Sequence, residues 1–348
     1  MSIIKSIDYQ LKTSLLSAPF MTSRDEKQRE TCTYVHVLLT LDNGISVESE
    51  AVAPFYLCGE TPQKSMEAIA SAAQFMVGMD VLRYVPITLF LREKMPDTPS
   101  ARAAIEIVIW KAIEAVTKLP LWNIWGGAIE KIETDITLSA SYSGRTLFEK
   151  AVNDGFRIFK VKAGLLSTEE ELQFLYDIHH RKPDARIRLD ANQAFSAPDA
   201  LRFISDVVKM GISLELMEQP VPADDYEGLD HVAKYSPVPI IADESVLNSS
   251  DAIKVFQQTS VQGVNVKLMK CGVHEAFDII AIARMMKKKL MLGCMLESSV
   301  NLSVALAMAC GTGAFSYIDL DSHLLRGDSS ADQDFLSQGP WLSSMQLF

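Results

Sequence analysis

Five residues between positions 162 and 267 carry enough chemistry to define a reaction. Asp190, Glu218 and Asp243 each close a short apolar run, preceded by Ile187/Leu189, Leu216/Met217 and Ile240/Ile241. Any one of them alone would read as a solvated loop acid. Three brought together repel and raise one another's pKa unless a cation sits among them. A hard, all-oxygen carboxylate set suits Mg²⁺, with water and substrate oxygens completing the octahedron. Lys162 and Lys267 end the runs on either side of these acids. A lysine beside a dication, poorly solvated, is expected to have a depressed pKa and to act as a base near neutral pH. Two such lysines on opposite faces of one carbon meet the needs of a 1,1-proton transfer. One removes the α-proton, the metal steadies the enolate, and the other reprotonates from the far side. Lys160 alternates with Lys162 about Val161, so both project to one face. A salt bridge to a neighbouring carboxylate is the expected part for Lys160. Asp319 and Asp321 flank Leu320 and also share a side, where two acids ask for a cation.

These residues need a scaffold that gathers them, and the sequence supplies a repeat. From about Glu133 onward, β-rich runs (TDITLSA, FRIFKVKAG, ARIRLDAN, SLELMEQP, VPIIADES, VQGVNVKL, KLMLGCMLES and FSYIDLD) alternate with amphipathic helical stretches. Their polar ends fall at Thr137, Lys162, Asp190, Glu218, Asp243, Lys267, Glu297 and Asp319/Asp321, spaced 22 to 30 residues apart. A strand, a helix and two loops occupy about this length, and such alternation implies a parallel sheet. Eight runs in series close a barrel, whose strand C-termini form one mouth. An open doubly wound sheet would carry a Gly-rich phosphate turn after its first strand, and none is present. In a ring of eight, the second and sixth strands stand opposite, so Lys162 and Lys267 face each other across the proposed metal.

The region before the repeat reads differently. Ile3 to Leu16, Tyr34 to Leu41 and Ile45 to Ala51 are β-rich, with Asp42-Asn43-Gly44 as a tight turn and Phe20 to Thr31 as a polar loop. Helical periodicity follows at Pro62 to Met79 and Ser100 to Thr117. The expected architecture is therefore α/β: a modified (β/α)8-type, (β/α)7β TIM barrel carrying an α+β capping domain. Its boundaries are placed at 1–125 for the cap, 126–322 for the barrel, and 323–348 for a segment returning to the cap.

Composition excludes several classes of function. The 348 residues are 48% hydrophobic and 22% charged, an ordinary globular balance. Thirty-three basic residues against 44 acidic ones give a net charge of −11, which opposes nucleic-acid and anionic-membrane binding. The first residues alternate apolar and polar like a strand, without a signal-peptide pattern, and no apolar run reaches roughly 18 residues. Five widely spaced cysteines without a CxxC read as reduced thiols of a cytoplasmic protein. No histidine pair has zinc-ligand spacing on a helix, which disfavours a zinc hydrolase.

With these residues in place, the chain resembles the enolase superfamily, in its muconate-lactonizing-enzyme-like subgroup. The matching motifs are Lys160-Val161-Lys162, Leu189-Asp190-Ala191-Asn192, Glu218-Gln219-Pro220, Ala242-Asp243-Glu244-Ser245 and Asn265-Val266-Lys267. The resemblance implies that Asp190, Glu218 and Asp243 bind Mg²⁺ and that Lys162 and Lys267 are the acid/base pair. Asp319-Leu320-Asp321 resembles the signature of dipeptide epimerases, where it holds the substrate's free α-amino group. What this implies is an isomerase that epimerises the C-terminal residue of a dipeptide, with L-Ala-D/L-Glu types modestly favoured and cell-wall peptide turnover as its setting. Thr137, Lys160 and Glu297 match pocket positions, with hydrogen bonding behind the pocket an equal reading for Glu297. Arg24, in the loop, resembles the arginine that reads a substrate γ-carboxylate. N-acylamino acid racemisation, o-succinylbenzoate synthesis and muconate-type cycloisomerisation use the same machinery. Two acids on the last strand disfavour them, because those substrates bring no ammonium. A non-catalytic metal-binding barrel would need neither lysine. Lys270-Cys271-Gly272-Val273 departs from the usual glycine pair, and homo-oligomerisation is left open.

Overall fold

The computed structural model describes residues 1–21, 29–327 and 335–344. The N-terminal strands β1 (Ile4–Phe20), β2 (Arg29–Leu41) and β3 (Ser46–Ala51) form an antiparallel sheet in that order. β1 and β2 pair from Ile4↔Leu41 to Phe20↔Arg29. The hairpin is thus longer than the sequence implied: Phe20 and Arg29 to Thr31, expected in the loop, are paired strand. The polar run Arg29-Glu30-Thr31 hid a ribbon stabilised by its backbone ladder. One face of the sheet is buried through Val35, Val37, Leu39 and Leu41, which are inaccessible to solvent. That face packs on the helices Pro62–Met76 and Pro99–Thr117. The latter is buried nearly all round, as a helix wedged between two layers must be. An additional helix, Tyr84–Lys94, went unseen in the sequence because Pro86 lies within it.

After the short β4 (Lys131–Glu133) come eight parallel strands: β5 (Ile136–Ser139), β6 (Ile158–Lys162), β7 (Arg186–Asp190), β8 (Ser213–Glu218), β9 (Ile240–Ala242), β10 (Gly263–Lys267), β11 (Lys289–Gly293) and β12 (Tyr317–Ile318). They neighbour one another in sequence order. Helices between them turn apolar faces inward; Ala197–Lys209, for example, buries Ala200, Phe203, Ile204 and Val207. The ring closes where β12 meets β5: Asp135 N donates to Ile318 O (3.3 Å) and Leu320 N to Thr134 Oγ1 (2.8 Å). The last strand is followed by a single helical turn, Ser322–Leu325, giving the (β/α)7β form.

Period two along each strand sorts the barrel interior into layers. Leu216, Ile241, Met291 and Tyr317 form a separate apolar cluster inside the ring. Two residues further along their strands lie Glu218, Asp243, Gly293 and Asp319. Arg188, 3% exposed, ties the closing seam: it donates to Asp135 Oδ2 (2.8 Å), Glu215 Oε2 (2.9 Å) and Ile318 O (2.7 Å). Beyond β12, Arg326 bridges Leu16 of β1. The chain then turns to the barrel, where β13 (Leu336–Gln338) and β14 (Trp341–Ser343) extend β4. Among the described residues no helix is long and apolar enough to cross a membrane.

Removing Arg188 strands the buried Asp135 carboxylate, while Glu215 keeps Arg186 at 2.7 Å. Arg188→Ala is expected to cost roughly 3–5 kcal/mol of unfolding free energy in a denaturant titration. A cost near zero would show that the seam is held by backbone pairing alone.

Candidate active site

Strand register brings the acids and lysines together. Lys162 pairs with Asp190 across β6–β7, and Asp190 with Glu218 across β7–β8. Glu218 faces Ile241, two residues before Asp243. All three acids are at most 2% exposed. Lys160 Nζ lies 3.0 Å from Asp190 Oδ2, 2.8 Å from Glu218 Oε2 and 2.6 Å from Asp319 Oδ2. Lys162 Nζ is 2.7 Å from Asp190 Oδ2, and Lys267 Nζ is 2.8 Å from Asp243 Oδ2 and 3.8 Å from Glu218 Oε1. Lys270 Nζ reaches Asp243 Oδ1 at 2.6 Å.

Backbone shape at the strand ends serves this cluster. Asn192, Gln193 and Gln219 have positive φ, a costly conformation for residues with side chains. In exchange, Gln219 Oε1 accepts from Asp243 N (2.9 Å) and Ser245 N (3.2 Å), which holds the third acid in place. Asn192 N donates to Asp190 Oδ1, and Asn265 Nδ2 to Glu218 Oε1. Gly293 pairs with Lys267, and a Cβ there would sit 2.9 Å from Lys267 Cε, so glycine makes room for that lysine. Lys270, Asn265, Gln219 and Gly293 were not picked out from sequence as site residues. Gln219 and Asn265 stand inside the motifs that carry the resemblance and Lys270 in a departure from it, whereas the signal for Gly293 is only its position opposite Lys267.

The electrostatics follow from burial opposed by pairing. Burial would raise Asp190, but Lys160, Lys162 and Lys267 together hold it far below the usual carboxylate range. Burial likewise opposes Asp243, and Lys267 and Lys270 hold it well below. Glu218 goes the other way: burial and the charge of Asp190 push it up to about 7. Lys267 was expected to be depressed. Burial does act in that direction, but Asp243 and Glu218 outweigh it, and its pKa stands well above the ordinary value. The expectation assumed a dication already neutralising the acids. Lys160 is raised for the same reason, by Asp190, Asp319 and Glu218 against its burial.

The donor set fits a hard divalent cation such as Mg²⁺. Asp190, Glu218 and Asp243 offer only oxygens, and Glu218 Oε2 makes no hydrogen bond although Lys160 is close. With lysines seated among them, these oxygens are not within 4.8 Å of one another as a set. Among the described residues only Cys294, Asp319 and Asp321 meet that spacing. Burial and the nearby Asp319 and Asp321 keep the Cys294 thiol well above its usual pKa, hence protonated and a poor ligand at neutral pH.

A cavity above these groups is lined by Thr137, Lys160, Lys162, Asn192, Lys267, Asp319 and Asp321 from the barrel. The N-terminal strands and the turn after them add Arg29, Cys32, Val52, Pro54 and Tyr56. Asp321 Oδ2 accepts from Thr137 N (2.6 Å). Burial and the neighbouring Asp319 raise Asp321 to about 6, whereas Lys160, Lys267 and Lys162 overcome burial to keep Asp319 low. Of the expected substrate contacts among the described residues, Glu297 is missing from the cavity wall, and the acids Asp190, Glu218 and Asp243 do not line it either. The Glu297 carboxylate accepts from Met295 N (3.0 Å) and Asn301 Nδ2 (3.2 Å), so it braces the loop behind the wall. Arg24 lies outside the described residues.

Residues 145–340 match a family model described as enolase C-terminal domain-like. The chain is 31% identical over 342 residues to an L-Ala-D/L-Glu epimerase of Thermotoga maritima, covering 98% of each. A substrate-liganded complex of the L-Ala-D/L-Glu epimerase from Bacillus subtilis superposes with a TM-score of 0.93 at 28% identity, over 99% of this chain and 96% of that one. A dipeptide epimerase from Enterococcus faecalis V583, complexed with Mg and L-Leu-L-Tyr, gives 0.91 at 27% identity, over 98% and 97%.

Burial is the main cause that raises Glu297 to about 7 from 4.5. The folded state therefore holds a proton there that the unfolded chain releases earlier, so stability is lost as pH rises from about 4.5 to about 7 and no further above that. Melting temperature should fall from about pH 4.5 to about pH 7, and fall less over that window in Glu297→Gln. Equal slopes would mean that Glu297 is not the group titrating.

Proposed function

The chain belongs to the enolase superfamily, and from that premise we propose that it is a Mg²⁺-dependent dipeptide epimerase acting at the α-carbon of the C-terminal residue. The observation that carries this reading is the single cavity shared by Lys162, Lys267, Asp319 and Asp321. Lys162 and Lys267 lie on strands four apart in a ring of eight and therefore approach one bound carbon from opposite faces. One, as a neutral amine, takes the α-proton; the other, as an ammonium, delivers a proton to the opposite face. Each turnover leaves the two lysines with their protonation states exchanged, so the reverse epimerisation starts from the product state. Asp190, Glu218 and Asp243 would hold Mg²⁺, which would supply positive charge beside the substrate carboxylate and so make the adjacent α-proton more acidic.

Asp319 and Asp321 receive the α-ammonium of the N-terminal residue, and Thr137 orients Asp321 through its backbone N–H. Lys160 has a different part. Paired with Asp190, Glu218 and Asp319, it holds the metal side and the ammonium side at a fixed distance. An N-acyl substrate offers no cation to this pair of acids and would leave them repelling each other. Arg29, the cation that the N-terminal strands add to the cavity among the described residues, favours an acidic C-terminal side chain. Val52, Pro54, Met295, Leu296 and Leu325 line the same space and support hydrophobic dipeptides as the second reading. By resemblance, the setting is the cytoplasmic turnover of cell-wall peptides.

The reading is tested by incubating a dipeptide library with the protein and Mg²⁺ in D₂O and following α-protons by NMR. Exchange confined to the C-terminal residue, lost on chelating the metal, is the expected result. Activity confined to N-acylamino acids would refute it. Because Asp321 titrates near 6, kcat/KM for the dipeptide should fall with acidity below that value, and Asp321→Asn should lower kcat/KM at pH 8 by at least about 100-fold. Unchanged turnover by Asp321→Asn would remove the ammonium-binding role.

A further inference from the structure

One wall of the cavity is made by the loop 294–298, which contributes Cys294, Met295 and Leu296. We propose that Arg326 and Glu50, neither of which touches the cavity, act as a positioning pair that fixes this loop from behind and so sets the width of the substrate site. Both are buried, at 1% and 3% exposure. Arg326 Nη1 donates to Glu50 Oε1 (2.7 Å) and to Leu296 O (3.3 Å), while its guanidinium stacks 4.5 Å from the centre of the Tyr34 ring. Glu50 Oε1 also accepts from Ser298 N, and the Glu50 backbone is bracketed by Asn301, which accepts from its N–H (3.1 Å) and donates to its carbonyl (2.7 Å). Cys32 Sγ meets the same Leu296 carbonyl at 3.4 Å.

Three distant parts of the chain meet in this contact. Glu50 and Tyr34 come from the N-terminal sheet, Leu296 and Ser298 from the loop after β11, and Arg326 from the segment after the last barrel strand. The backbone of Arg326 is itself anchored, bridging Leu16, with Gly327 N donating to Leu15 O at 2.8 Å. A buried ion pair is a weak source of stability, since apolar residues of similar volume often serve as well or better. What an apolar residue cannot do is address a carboxylate, a carbonyl and a ring at once, as the flat guanidinium fork does. The pair therefore fixes where the loop sits relative to Asp319 and Asp321, and Glu297 and Asn301 brace it from the same side.

The test compares wild type with Arg326→Met and with Glu50→Gln/Arg326→Met, the second leaving no unpaired charge behind. Site-resolved alkylation by iodoacetamide, read by peptide mass spectrometry, reports on the half-buried Cys294 without reference to catalysis. The expected result for the double variant is Cys294 labelling about 10-fold faster, with the buried Cys271 and Cys310 unchanged. This part stands apart from the proposed function; the kinetic part rests on it. With L-Ala-L-Glu or L-Leu-L-Tyr, whichever is turned over, KM should rise about 10-fold while kcat changes less than about 2-fold. Arg326→Lys, which keeps the charge and loses the fork, should fall between the two. Wild-type labelling and KM in the folded double variant would overturn the proposal, as would all three cysteines accelerating together. Selective exposure of Cys294 in a protein that epimerises no dipeptide would sustain the positioning role and defeat the proposed function.

Discussion

Lys160 sets the terms for the rest of the site. Its amine, buried in the middle of the barrel, is within 3.0 Å of oxygens from Asp190, Glu218 and Asp319. Those acids belong to two functional halves of the cavity, one suited to a dication and one to a substrate ammonium. Without a fixed cation between them the two halves would repel across a poorly screened interior. With it, Asp319 and Asp321 have one amine between them and leave room for a further cation, while Asp190, Glu218 and Asp243 share Lys160, Lys162, Lys267 and Lys270. Burial pushes every acid of the cluster up; the amines outweigh it at Asp190 and Asp243, whereas at Glu218 and Asp321 burial together with a neighbouring acid prevails.

Much of this was legible in the sequence because it follows from periodicity. Eight β-rich runs with polar ends specify both the ring and the mouth. Period two puts Lys160 beside Lys162 and Asp319 beside Asp321. What the sequence did not disclose depends on contacts between distant segments. Gly293 matters only because it pairs with Lys267, and Lys270 because a strand runs directly into a helix that returns its amine to Asp243. Glu297 has the strand-end position of a substrate contact, yet the turn after β11 directs its carboxylate to Asn301. The depressed pKa expected from sequence concerned a lysine beside a dication, whereas Lys267 beside Asp243 and Glu218 alone is raised.

The N-terminal sheet is part of the site as much as a cover for it. Its long hairpin carries Arg29 and Cys32 to the cavity, and Val52 to Tyr56 follow directly from β3. Charged residues at this junction, Glu50 and Arg326, are buried where apolar ones would pack with less cost. Placing them there makes the geometry of the cavity depend on how sheet and barrel meet. On the proposed reading, substrate selection lies in the joint between the two halves, and Lys162 and Lys267 stay on barrel strands.

The central claim is that two amines address one stereocentre from opposite sides, and single-lysine variants test it most directly. Each epimer of a turned-over dipeptide is incubated separately in D₂O with Lys162→Ala and with Lys267→Ala. The account predicts that neither variant epimerises, that each exchanges the α-proton of only one epimer, and that the two variants choose opposite epimers. Exchange of the same epimer by both variants, or epimerisation surviving in either, would contradict it.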